Sequence, residues 1–226
     1  MRKLTDPQPT YEVPSNIPDA EEDKAVGNPI PGIGEQQWPR IVFGAATLGA
    51  GIYNSDEFLK SSEPLRTVRL ALRYGIKAFD TAAYYGSSEI VLGAILRAVA
   101  DEFPRESYKL LTKCGRYGSP AEDFDYSRET IRKSVERSLS RLGTTYLDVV
   151  FLHDTEFVCT PVHPADPTGN PVKALEDPVF GAAWGLRPED RDRVHGAGDQ
   201  KIIDAFDELK KMKEEGLIKA IGLTGW

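Results

Sequence analysis

Short apolar runs ending in a glycine or a polar side chain recur at nearly even intervals through most of this chain. IVFGA (Ile41 to Ala45), IKAFD (Ile76 to Asp80), KLLTK (Lys109 to Lys113) and LDVVFLHD (Leu147 to Asp154) have the β-branched, near-continuous character of buried strands. Between them, apolar residues fall at helical spacing. Leu65, Val68 and Leu72 precede Gly75; Ile90, Val91, Ala94, Ile95 and Ala98 lie in a helix from about Ser88 to Phe103; Ile131, Val135, Leu139 and Leu142 run from a capping Ser127 to Gly143. A further helix over Ile202 to Glu215 stops at Gly216 and leads into LIKAIGLTG, Leu217 to Gly225. Taken at Gly44, Asp80, Lys113 and His153, the strand ends stand 36, 33 and 40 residues apart. That is one βα unit, repeated.

Such a repeat requires a parallel sheet covered by helices on its outer side or on both faces. Polar side chains at successive strand ends favour a (β/α)8 barrel of the TIM type, which gathers the carboxyl ends of its strands around one pocket. A doubly wound dinucleotide fold fits less well, because GAATLGAG (Gly44 to Gly51) lacks the G-x-G-x-x-G spacing and no helix opens directly from it. Five βα units are present, where closure takes eight strands and about 250 residues. The expected architecture is therefore an incomplete TIM-type barrel over residues 40–226, with its first and fifth strands as open edges. The step from His153 to Thr224 is 71 residues, which predicts an inserted loop at about 155–198. Residues 1–39 carry seven prolines among acidic and polar residues, without apolar periodicity, and are expected to form an extended or disordered leader.

Composition narrows the function classes. A net charge of −7 offers no basic footprint for nucleic acid or an anionic membrane, and no apolar run reaches the roughly 18 residues of a spanning helix. Met1-Arg2-Lys3 is followed by polar, proline-rich sequence rather than an apolar signal core. Two cysteines, Cys114 and Cys159, suit a reducing compartment better than a disulfide framework. The expectation is a cytoplasmic protein whose partners are small molecules, with self-association through the open sheet edges.

Four groups sit at or just past three successive strand ends: Asp80 with Tyr85, then Lys113, then His153. Each alone has an ordinary explanation as a cap, a rim aromatic, a surface cation or a core histidine. Together they interrupt apolar runs at equivalent points of the repeat, which those explanations do not account for. Their joint logic is hydride chemistry at a carbonyl. A phenol titrates near pH ~10, too high to exchange protons readily at neutrality, and a neighbouring ammonium lowers that value. Lys113 is the natural partner of Tyr85, Asp80 would keep Lys113 charged and oriented, and His153 would bind the substrate oxygen beside the phenol. With a nicotinamide giving or taking the hydride, Tyr85 is the general acid in reduction and the general base in oxidation.

The motifs carrying these residues resemble those of a known family. DTAAYYGSSE (Asp80 to Glu89) resembles the D-T-A-x-x-Y-G-x-S-E signature of the aldo-keto reductases, LLTKCG resembles their lysine strand and DVVFLHD their histidine strand. Within the family, the stretch from EFPRESYKLLTKCGRYG through DVVFLHDTEFV looks most like the fungal NAD(P)-dependent D-arabinose 1-dehydrogenases and the L-galactose dehydrogenases. The resemblance implies a tetrad of Asp80, Tyr85, Lys113 and His153, and NADP or NAD as cofactor. It places Ala46, Thr47, Asp80 and Thr224 beside that cofactor, and an aldose or related aldehyde or ketone as substrate.

In the family the last three βα units hold the residue that stacks on the nicotinamide and the loops that grip the pyrophosphate and adenosine. A chain without them is expected to turn over carbonyls poorly alone, since remote binding energy supports positioning at the reacting centre. The alternative expectation is a catalytically impaired truncated homologue acting through association with another chain. Other features carry less. His163 and His195 lie in the insertion with Cys159, Asp166 and Asp199 but without metal-ligand spacing, so no metal site is expected. Cys114 reads as a buried structural thiol, and Tyr84 as a packing residue.

Overall fold

The computed structural model describes residues 10–14, 17–35, 37–51, 53–160, 171–183, 185–190 and 192–225. Five parallel strands, β1 (Phe43–Gly44), β2 (Ala78–Asp80), β3 (Lys109–Cys114), β4 (Leu147–Leu152) and β5 (Ile218–Leu223), pair in sequence order. A doubly wound sheet would reverse its order at a switch point. The helices between them are α1 (Asp56–Leu59), α2 (Glu63–Arg73), α3 (Ser88–Ala98), α4 (Arg128–Leu142), α5 (Pro171–Glu176), α6 (Pro178–Ala183) and α7 (Ala197–Glu214).

Alternation along the strands divides their side chains between two environments. Phe79, Leu110, Val150, Leu152 and Ile218 join the main core with Leu72 of α2, Ile95 of α3, Val135 of α4 and Leu209 of α7. Ala78, Leu111 and Val149 form a second cluster with Trp38, Phe151 and Ala220. Helices thus cover one sheet face and leave the other as an inner wall, the arrangement of a barrel segment. Asp80, Lys113 and His153 stand two residues beyond Ala78, Leu111 and Phe151, so the period of two brings all three to the inner side at the strand ends.

Local signals explain the element bounds. Ser127 caps α4, its hydroxyl accepting from Thr130 N, and Gly143 ends it at φ 67°, a left-handed conformation that suits glycine. The first strand is a correction to the sequence reading: Ile41 and Val42 are 46% and 44% exposed, and only Phe43 and Gly44 pair. As an edge strand beside the three-residue β2 it has few partners, and the chain enters a 3-10 turn at Ala45–Leu48. Helix α7 begins at Ala197, five residues before the apolar periodicity starts. Asp199 in its first turn accepts Thr160 N and His195 N, both at 2.8 Å, and so ties the two ends of the insertion together.

Residues 10–14, 17–35 and 37–39 form no α-helix or strand, only a 3-10 turn at Glu21–Asp23 and one β-bridge. Ile17, Asp23, Val26 and Ile30 bond to α2 and to Tyr74 at its end. Arg66, Arg69 and Arg73 form one stripe on that helix. Arg66 and Arg69 pair with Asp23 at 2.9 and 3.3 Å, Arg69 and Arg73 with Asp19 at 3.0 and 3.1 Å. Further on, Ile33 and Trp38 make an antiparallel bridge that sets Trp38 against the inner-face cluster.

Candidate active site

Asp80 ends β2, and the chain returns through a tight turn in which Tyr85 N bonds Ala82 O before α3 begins. That turn is fastened beneath. Ser88 Oγ donates to Ala45 O at 2.6 Å and lies 2.8 Å from Thr81 Oγ1, while Ser87 Oγ accepts Ala50 N at 3.1 Å. Glu89, fully buried, accepts Thr112 Oγ1 at 2.7 Å and pairs with Arg141 at 3.0 Å. The residues around Tyr85 are therefore bonded to the first strand's turn, to β3 and to α4.

The four expected catalytic groups converge. Lys113 Nζ donates to Asp80 Oδ2 at 2.6 Å and to Thr81 O at 2.9 Å, and stands 4.8 Å from the centre of the Tyr85 ring. An ammonium has three donors, so one is left after Asp80 and Thr81. The Tyr85 and His153 rings meet edge to face, 5.7 Å apart at 90°. His153 is 5% exposed, its backbone held by Cys114 O and Tyr126 Oη. Burial pushes its imidazole down to about 4; Lys113 and Arg116 push the same way and Asp154 opposes them. At neutral pH the ring is uncharged, which suits a hydrogen-bond donor to a substrate oxygen.

The positions expected beside a cofactor flank this group. Ala46 and Thr47 lie in the turn after β1, Thr47 exposed. Thr224 follows β5, where its Oγ1 accepts Asp154 N at 3.3 Å, and so abuts the histidine turn. Three residues not assigned a site role from sequence also border it. Arg116 pairs with Asp154 and lies over the Tyr84 ring at 4.3 Å, and Tyr84 stands 6.0 Å from His153. Their signal was present in the motifs themselves, as a second charge within three residues of Lys113 and another directly after His153.

Cys114 is buried with its thiol pushed up by burial, as a structural cysteine should be. His163 and Asp166 lie outside the described residues, and no metal-competent cluster occurs among the described ones.

Residues 40–226 match the family model described as Aldo/keto reductase family. The chain belongs to this family. It is 36% identical over 187 residues to D-arabinose 1-dehydrogenase of Saccharomyces cerevisiae, a match covering 82% of this chain and 42% of that protein. To L-galactose dehydrogenase of Arabidopsis thaliana it is 34% identical over 187 residues, covering 82% and 44%. A solved Pseudomonas aeruginosa structure assigned to the aldo-keto reductases superposes with a TM-score of 0.51 at 27% identity, covering 88% of this chain and 59% of that one. The chain thus spans less than half the length of these two curated relatives. The family's barrel accounts for the sequential parallel sheet with helices on one face.

Proposed function

We propose that this site transfers hydride between a nicotinamide cofactor, NADP or NAD, and the carbonyl carbon of an aldose or related aldehyde or ketone. The observation that carries the reading is the clustering of an Asp80-bound Lys113 ammonium, the Tyr85 phenol and a neutral His153 at adjoining strand ends. Sugar-type substrates follow from the likeness to the two dehydrogenases named above.

His153 donates to the substrate oxygen and orients it. Tyr85 gives its proton to that oxygen in reduction and takes one from the hydroxyl in oxidation. Lys113, charged and fixed by Asp80, stabilises the phenolate left behind. The donor set fits the nicotinamide end of the cofactor: the exposed Thr47 and the backbone of Ala46 on one side, Asp80 in the middle and Thr224 on the other would hold it. A bound nicotinamide supplies or accepts the hydride.

The experiment is oxidation of NADPH or NADH by an aldehyde, and reduction of NADP⁺ or NAD⁺ by D-arabinose, for the purified chain and for Tyr85→Phe. The reading expects turnover that Tyr85→Phe abolishes while cofactor binding persists. Equal turnover in the two proteins overturns it.

Location and association belong to the same proposal. Both cysteines are free, and among the described residues no helix is long and apolar enough to cross a membrane, which supports a cytoplasmic site of action. Among the described residues β1 and β5 are each paired on one side only, which supports self-association through these open edges. A compact monomer in sedimentation would sink that part.

A further inference from the structure

The residue following the histidine has its own geometry. Asp154 is buried at 7% exposure and adopts φ 56°, a left-handed conformation that a non-glycine residue takes at some cost. Its backbone N donates to Thr224 Oγ1 at 3.3 Å. Its carboxylate oxygen Oδ2 pairs with Arg116 and lies 3.6 Å from His153 Nε2. Arg116 is itself fixed. Its Nε donates to Gly118 O at 3.1 Å, and its guanidinium lies 4.3 Å from the Tyr84 ring centre and 5.3 Å from that of Phe124.

The other imidazole nitrogen, Nδ1, is buried with no hydrogen-bond partner among the described residues. A neutral ring carries one proton on one of two nitrogens, and its surroundings choose which. A proton on Nδ1 would be a buried donor without an acceptor. A proton on Nε2 faces a carboxylate. The charged and titratable groups around the ring are Lys113, Arg116, Tyr84, Tyr85 and Asp154, and of these Asp154 is the anion.

We propose that Asp154, clamped by Arg116 and Thr224, is a positioning residue whose nearby charge keeps the proton of neutral His153 on Nε2. This rests on the reading of His153 as the group that binds the substrate oxygen, because a ring of the other tautomer would offer that oxygen a lone pair. Asp154 selects the donor form. Arg116 pairs with the carboxylate and prevents it from swinging away, and Tyr84 supports Arg116 from below.

The tautomer can be read without substrate or cofactor, from the nitrogen chemical shifts of the full chain labelled with ¹⁵N-histidine. The His153 signals are assigned by their loss in His153→Gln. The wild-type ring is expected in the Nε2–H form. In Asp154→Asn the amide oxygen stays on Arg116 in the place of Oδ2, so Nε2 faces a neutral oxygen instead of a carboxylate and the tautomer ratio should move about tenfold toward Nδ1–H. Arg116→Gln, which leaves Asp154 in place but unclamped, should move it in the same direction and serves if Asp154→Asn does not fold. An Nδ1–H ring in the wild type, or an unchanged ratio in a folded variant, overturns the proposal. Failure of the catalytic reading is separate, since it shows in Tyr85→Phe turnover and leaves the tautomer untouched.

Discussion

Gly49 and Tyr85 meet backbone to backbone: a Cβ built on Gly49 would stand 2.3 Å from the Tyr85 carbonyl oxygen. The φ of Gly49 is −87°, so the glycine is required by this approach and not by its own conformation. Gly49→Ala must push the Tyr85 turn outward. Overpacking of this kind costs about 1–3 kcal/mol of stability. Displacing a catalytic group by about 1 Å can cost about a hundredfold in rate. The expected variant is folded, slightly less stable, and about a hundredfold slower in aldehyde-dependent cofactor oxidation. Wild-type turnover in Gly49→Ala would show that the turn's position does not matter.

Lys113→Met tests the ammonium. Removing one member of a fully buried ion pair costs about 3–5 kcal/mol. Asp80 is 31% exposed in its side chain, so water compensates for part of that loss and the chain should still fold. Turnover should fall by about 10²- to 10⁴-fold, the usual contribution of acid–base assistance. Thermal melts beside initial rates separate the two effects. A variant that melts as the wild type does and keeps its rate would remove Lys113 from the chemistry.

Much of this was legible in the sequence because the repeat is local. Spacing placed Asp80, Lys113 and His153 at equivalent strand ends; the near-continuous apolar runs gave no face, and the structure supplies the inner side through alternation along the strands. The short first strand was not legible, since IVFGA has the same composition whether it is central or at an edge. Nor was the grip on the leader, because Asp23 meets Arg66 and Arg69 across 43 and 46 residues, and no periodicity reports a charge pair at that separation. Arg116 and Asp154 were visible as residues. Their meeting depends on the loops after β3 and β4 turning toward each other, which strand spacing does not encode.

His153 should leave a trace in the pH dependence of stability. Its folded pKa is depressed to about 4 from an ordinary 6.5. Between those values the unfolded chain binds a proton that the folded chain does not. Stability is therefore complete above about pH 6.5 and falls as the pH drops toward 4, by about 2 kcal/mol between pH 7 and pH 5. Urea midpoints at the two pH values measure it. His153→Gln, which cannot titrate, should flatten this part of the slope, and an equal slope in both proteins would contradict the burial of a neutral ring.

Asp23 is the hub of the leader's attachment. It is 3% exposed, its carboxylate receives Arg66 and Arg69, and it also accepts the backbone N of Ala20 at 2.9 Å. Asp23→Asn keeps the shape and the Ala20 bond but removes the charge from both ion pairs. The adjoining Lys24 is a tryptic site on a segment outside the region matching the family. Cleavage there follows the population of the released leader when opening is fast relative to cutting. The variant should be cut after Lys24 about tenfold faster than the wild type at low salt. Added salt should narrow the gap, because it screens the pairs that Asp23→Asn has already lost. Equal cleavage rates at low salt would mean that the arginine row on α2 does not hold the leader in solution.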